Sequence, residues 1–155
     1  MKKAIIIIVS FFAIIVGCRF DDGPLISFRS TYGRMYGTWQ VQKFEINGTD
    51  FIQQYNDSCD CKFVFHQVSP SDRIMYFSNN QTELSAKFGI KNRNKLYIIT
   101  GNGYSQINYE LIKVNSHSNW EIIKLTNKSL WIKSIDNDFD NNKAYYIELN
   151  KIKDE

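Results

Sequence analysis

The feature that most constrains the fold is a repeated alternation, from Tyr36 onward, of short runs rich in β-branched and aromatic residues with compact clusters of Gly, Asn, Asp and Ser. The runs are Trp39 to Ile46, Cys61 to Val68, Arg73 to Ser78, Thr82 to Ile90, Lys95 to Thr100, Ser105 to Val114, Trp120 to Thr126, Ser129 to Ile135 and Lys143 to Leu149. Their length and composition are those of β-strands. Between them stand Ser69-Pro70-Ser71-Asp72, Asn79-Asn80, Asn92-Arg93-Asn94, Gly101-Asn102-Gly103, Asn115 to Asn119, Asn127-Lys128 and Asp136 to Asn142. Connections this short join antiparallel neighbours, since a parallel pair needs a crossover of about a dozen residues or more. The expected fold is therefore all-β, an up-and-down antiparallel meander.

One run shows its two faces plainly. Leu84, Ala86, Phe88 and Ile90 share one side while Glu83, Ser85 and Lys87 share the other, and Ile107, Tyr109 and Leu111 repeat the pattern. A meander of eight or nine such strands buries its apolar face and removes its edges by closing into a barrel. A two-sheet sandwich is the alternative. The one stretch with room for a short helix is Thr49 to Tyr55, where Thr49 or Asp50 can cap a single turn carrying Phe51, Ile52 and Tyr55.

Ahead of the strands lies a leader. Lys2 and Lys3 precede an apolar segment from Ala4 to Val16, broken only by Ser10, too short and too early for a spanning helix. It ends in Ile15-Val16-Gly17-Cys18, which resembles the lipobox of bacterial lipoproteins. The resemblance implies cleavage after Gly17, a diacylglyceryl thioether on Cys18 and usually a third acyl chain, such as palmitate, on its amine. Two or more chains make a stable anchor. The expected organisation is a signal peptide at 1–17, a lipid-anchored tether at 18–35, a barrel domain at 36–150 and a tail at 151–155. Asp21 and Asp22 resemble the acidic export signal of some Gram-negative lipoproteins, so the expected location is the outer membrane, its cell-surface face included.

Charge narrows the partners. The chain of 155 residues carries a formal charge of +3, and losing Lys2 and Lys3 with the leader lowers it to +1. No basic block remains in the mature chain, which removes the electrostatic argument for nucleic acid.

Gly37-Thr38-Trp39 at the head of the first strand, followed by Asn47-Gly48, resembles the opening of the bacterial lipocalin-like lipoprotein domain. Trp120-Glu121-Ile122-Ile123-Lys124-Leu125-Thr126 followed by Leu130-Trp131-Ile132 is similar to that family's late hairpin. The resemblance implies a lipocalin-like barrel of eight or nine strands, with Gly37 and Trp39 packing one barrel end and no shared catalytic residues. In lipocalins proper the corresponding tryptophan packs under an arginine from a late strand. Here no arginine follows Arg93, and the last strand and tail offer Lys143, Lys151 and Lys153.

Chemistry-bearing motifs are sparse. With Cys18 committed to lipid, Cys59 and Cys61 can form a local disulfide, remain as thiols, or contribute to a metal site. Cys59, Cys61 and His66 make only three donors for zinc, and His117 lies far along the chain. Asp136, Asp138 and Asp140 match the start of a calcium loop, but Asn141 stands where glycine is needed and Ile147 where a bidentate glutamate is needed. Gly101-Asn102-Gly103 lacks the third glycine of a dinucleotide fingerprint, and two histidines without a Gly-x-Ser-x-Gly give no catalytic triad. Neither a metal, a cofactor nor an enzymatic activity is expected.

Aromatic residues, 15% of the chain, either fill the barrel or line a ligand cavity, with Phe88, Tyr109 and Trp120 as the lining residues. The sequence thus leads to a lipid-anchored, non-enzymatic barrel that binds a small apolar ligand or a partner protein. The alternative is a filled barrel that serves interaction or assembly in the cell envelope.

Overall fold

The computed structural model describes residues 30–58, 61–78, 83–99, 107–108, 113–114, 117–135 and 143–154. Eight antiparallel strands close into an up-and-down barrel: β1 (Gly37–Ile46), β3 (Lys62–Ser69), β4 (Asp72–Ser78), β5 (Glu83–Lys91), β6 (Lys95–Ile99), β9 (His117–Leu125), β10 (Ser129–Ser134) and β11 (Tyr145–Lys153). A two-residue strand, β2 (Thr49–Asp50), adds to the edge of β1. Two helices, α1 (Thr31–Met35) and α2 (Ile52–Ser58), complete the described fold with a separate ladder of β7 (Ile107–Asn108) and β8 (Lys113–Val114).

Closure depends on β1, which pairs with β3 at its start and with β11 along its length. Its register against β11 shifts between Val41 and Lys43 and again between Thr38 and Trp39. Such irregularities bend and coil a strand, which a sheet needs in order to curl onto itself. The hairpin that follows is set by Asn47-Gly48: both residues have positive φ, 53° and 80°, as a two-residue type I′ turn demands. Asn47 Oδ1 also accepts a 2.8 Å hydrogen bond from the Ala144 amide, which ties this turn to the entrance of β11.

Alternation along the strands delivers one face of each to the interior. Trp39, Val41, Phe44 and Ile46 on β1, Phe63 and Phe65 on β3, and Met75 and Phe77 on β4 are buried. They meet Ala86 and Phe88 from β5, Leu96 and Ile98 from β6, and Tyr145, Ile147 and Leu149 from β11. At roughly 25 cal/mol per Å² of apolar surface buried, this continuous core is the dominant stabilising term.

The structure moves several sequence-derived boundaries. The folded body runs from Thr31 to Lys153 instead of 36–150, because five residues of the expected tether form α1 and the expected tail begins with the end of β11. Neither segment is long enough to show a period of its own. The run Ser105 to Val114, expected as a barrel strand, contributes β7 and β8, which pair with each other; β6 already pairs with β9 from Lys95↔Glu121 to Ile99↔His117, so the barrel closes without it. The helix expected over Thr49 to Tyr55 is instead Ile52–Ser58, since Thr49 and Asp50 are held as β2 by the tight turn. Asp50 does cap it, accepting the Ile52 amide at 2.9 Å.

Candidate functional site

A barrel offers its two ends and its interior as sites, and here each helix closes one end. α1 lies across the end where β1 begins. Ser30 caps it, its hydroxyl accepting from the Gly33 amide at 3.0 Å. Tyr32 reaches the rim at Ile90, accepting its amide at 2.8 Å, and the Arg73 guanidinium stacks over the Tyr32 ring at 4.0 Å. Arg34 is buried and donates from Nη1 to the Leu125 carbonyl at 3.3 Å, while burial pulls its guanidinium pKa below the usual value.

Gly37 and Trp39 stand at the start of β1, on the barrel end that α1 covers. Gly37 has φ +124°, and a Cβ there would overlap the Lys153 carbonyl oxygen, so both backbone angle and space call for glycine. Trp39 is fully buried, and its indole Nε1 donates to the Met35 carbonyl at 2.8 Å, fixing α1 to the floor of the barrel. Lys151 covers the indole. Its ammonium sits 4.8 Å from the ring centroid and donates to the carbonyls of Arg34 at 2.8 Å and Tyr36 at 2.7 Å. A lysine thus covers this tryptophan, its cation lying against the ring face. The tail expected at 151–155 includes Lys151, although its spacing continues the inward phase of Tyr145, Ile147 and Leu149.

The opposite end is stoppered by Tyr55 of α2, which is 2% exposed. Its ring stacks on Phe44 at 5.2 Å and its hydroxyl donates to the Cys61 carbonyl at 2.7 Å. Phe44 in turn meets Tyr145 at 6.1 Å, and Tyr145 meets Trp120 at 6.3 Å. Trp120 donates from Nε1 to Ser118 Oγ at 3.3 Å, so a buried hydroxyl satisfies the indole inside the wall. Deeper in the barrel Phe65 and Phe88 pack edge to face at 5.1 Å, as do Phe63 and Phe77 at 4.9 Å.

Two of the three expected lining residues, Phe88 and Trp120, are therefore core members with buried ring partners; Tyr109 lies outside the described residues. Cys61 is buried and disulfide-bonded, while Cys18 and Cys59 lie outside the described residues. His66 lies on the face of β3 opposite Phe63 and Phe65 and away from buried Cys61, and no group of three or more His, Cys, Asp or Glu suited to a metal is found among the described residues. The Asp136 to Asn142 loop is likewise outside them.

Among the described residues, grooves lie on the outside. One groove of about 460 Å³ runs beside α1, lined by Gly33, Tyr36, Val68, Pro70 and Asp154. Another, of about 670 Å³, follows α2 past Asp50, Ile52, Gln53 and Asp57. On the outer wall, Tyr146 donates to Glu148 at 3.0 Å, and Lys43 lies 2.7 Å from Glu45 and 5.5 Å from the Tyr146 ring, across the β1–β11 seam. Burial, then the Glu148 hydrogen bond, pushes the Tyr146 pKa up to about 12. Glu45, chiefly through its hydrogen bond, raises that of Lys43.

No protein-family model matches this chain, and no curated protein matches it in sequence.

Proposed function

We propose that this chain is a lipid-anchored lipoprotein of the outer membrane, non-enzymatic, whose lipocalin-like barrel is filled and acts through its outer surface on a partner in the cell envelope. The observation that carries the reading is the occupation of the barrel by its own rings, with Trp39 under α1 at one end and Tyr55 of α2 at the other. A ligand cavity lined by Phe88 and Trp120 would require both rings to leave packed partners, at a cost of about 0.5–1.5 kcal/mol for each aromatic pair beyond the area lost. The anchor is supported by the basic and apolar leader ending at Cys18, and an exported chain is the setting in which a disulfide at Cys61 persists.

The test is native mass spectrometry on the full protein extracted in mild detergent from its host's envelope. The expected species starts at Cys18, carries acyl chains and has no stoichiometric small-molecule adduct. A one-to-one adduct that denaturation removes would overturn the filled-barrel reading. An unacylated N-terminus would overturn the anchor.

A further inference from the structure

The end of the barrel that carries α1 is also the end at which charge collects. The β5–β6 turn presents Lys91, Arg93 and Lys95, the β9–β10 turn presents Lys128, and the last residues of β11 include Lys153; all five are exposed. These three elements adjoin around the rim, because the strand order runs β11, β10, β9, β6, β5. The Ile122 amide donates to the Asn94 carbonyl and the Lys151 amide to the Lys128 carbonyl, so the turns are fastened to their neighbours. Among the described residues at this end, Asp72 lies 3.0 Å from Lys87, Asp154 lies 3.2 Å from Lys151, and Glu121 stands opposite Lys95. Beyond the basic arc the same rim exposes Val68 and Ile152 beside the groove at Tyr36 and Pro70.

The chain reaches the barrel at this end. From Cys18 to Ser30 is twelve residues, a segment that spans at most about 40 Å when extended. A tether that enters at α1 lets this rim meet the surface that holds the lipid. Basic residues within a Debye length of anionic headgroups are each attracted to them, and exposed apolar side chains beside them can enter the interfacial layer.

We propose that the α1 rim is a membrane-contact face that takes anionic phospholipid headgroups on Lys91, Arg93, Lys95, Lys128 and Lys153, so that the barrel lies with this end down and the α2 end outward. The inference rests on the anchored-lipoprotein reading. It is tested with the full lipidated protein in vesicles of phosphatidylcholine alone or with 30 mol% phosphatidylglycerol. A benzophenone amino acid replaces Asn127 on the α1 rim or Gln53 on α2, and lipid adducts are read by mass spectrometry. Adducts are expected from position 127 and not from 53, to rise severalfold with phosphatidylglycerol, and to fall by roughly fivefold for each charge removed in Lys91→Gln, Lys128→Gln and Lys153→Gln. These three side chains are exposed, so the variants keep the fold, checked by circular dichroism. Protein that floats with neither vesicle would overturn the anchor. Protein that floats with both but labels lipid equally from the two positions, or labels none, or ignores phosphatidylglycerol, would overturn the contact face alone.

Discussion

Replacing Lys151 by Met keeps the length and most of the volume of the side chain while removing its ammonium. That ammonium is nearly buried, the side chain being 4% exposed, and it donates to the Arg34 and Tyr36 carbonyls at 2.8 and 2.7 Å. Leaving two part-buried carbonyls short of a donor costs up to about 1–3 kcal/mol each. Loss of the cation from the Trp39 face removes about 0.5–2 kcal/mol more. Against these stands the desolvation of the ammonium, which the methionine escapes. The contact with Asp154, which is 62% exposed, adds little. The balance is a destabilisation of about 2–4 kcal/mol, which lowers the midpoint by about 6–12 °C in a domain of this size. Urea denaturation followed by tryptophan fluorescence measures it, with Lys153→Met as the exposed control expected within about 0.5 kcal/mol of the parent. Lys151→Met as stable as the parent, or no worse than the control, would refute the role of this lysine in closing the barrel end.

Trp39→Ala leaves a large cavity under α1 and frees the Met35 carbonyl, so a loss of about 3–5 kcal/mol is expected in the same assay; a well-folded variant near parental stability would count against the indole as the floor of the barrel. Gly37→Ala meets both a positive φ and the Lys153 carbonyl, so it should cost at least about 1–3 kcal/mol and increase hydrogen exchange in β1 and β11 together. The phenol of Tyr146 ionises at about 12 in the folded chain and near 10 when unfolded, so the folded state holds its proton more tightly. The resulting stability is fully present below pH 10 and is lost as pH rises toward 12, and Tyr146→Phe should flatten that slope in denaturation curves taken across the interval. An unchanged slope would remove Tyr146 from the account of the seam.

Much of the barrel was legible because its strands alternate cleanly and its turns carry their own chemistry. Asn47-Gly48 dictates a two-residue hairpin from local backbone preference alone, and Ala86 and Phe88 against Ser85 and Lys87 fix the register of β5. What escaped was whatever depended on contacts distant in sequence. Arg34 looks like a surface charge, and only the docking of α1 on β9 makes it an interior group. Ser105 to Val114 alternates as well as a barrel strand does, yet the hydrogen bonds it would need are taken by β6 and β9, a competition that no local pattern records. The same limit applied to the interior. Aromatic residues can fill or line a barrel, and the stacking of Tyr55 on Phe44 is visible only once α2 is folded over the end. Lys151 was the reachable exception, since its inward phase on the last strand is visible in the spacing from Tyr145.

The filled, end-closed barrel is tested most directly by through-space proton NMR on the isotope-labelled full chain in detergent micelles. Cross-peaks are predicted between the rings of Phe44 and Tyr55, Phe65 and Phe88, and Trp120 and Tyr145, whose centroids lie 5.2, 5.1 and 6.3 Å apart, together with contacts from the Lys151 side chain to the Trp39 indole. Rings that show cross-peaks to water or to a bound small molecule in place of one another would contradict it.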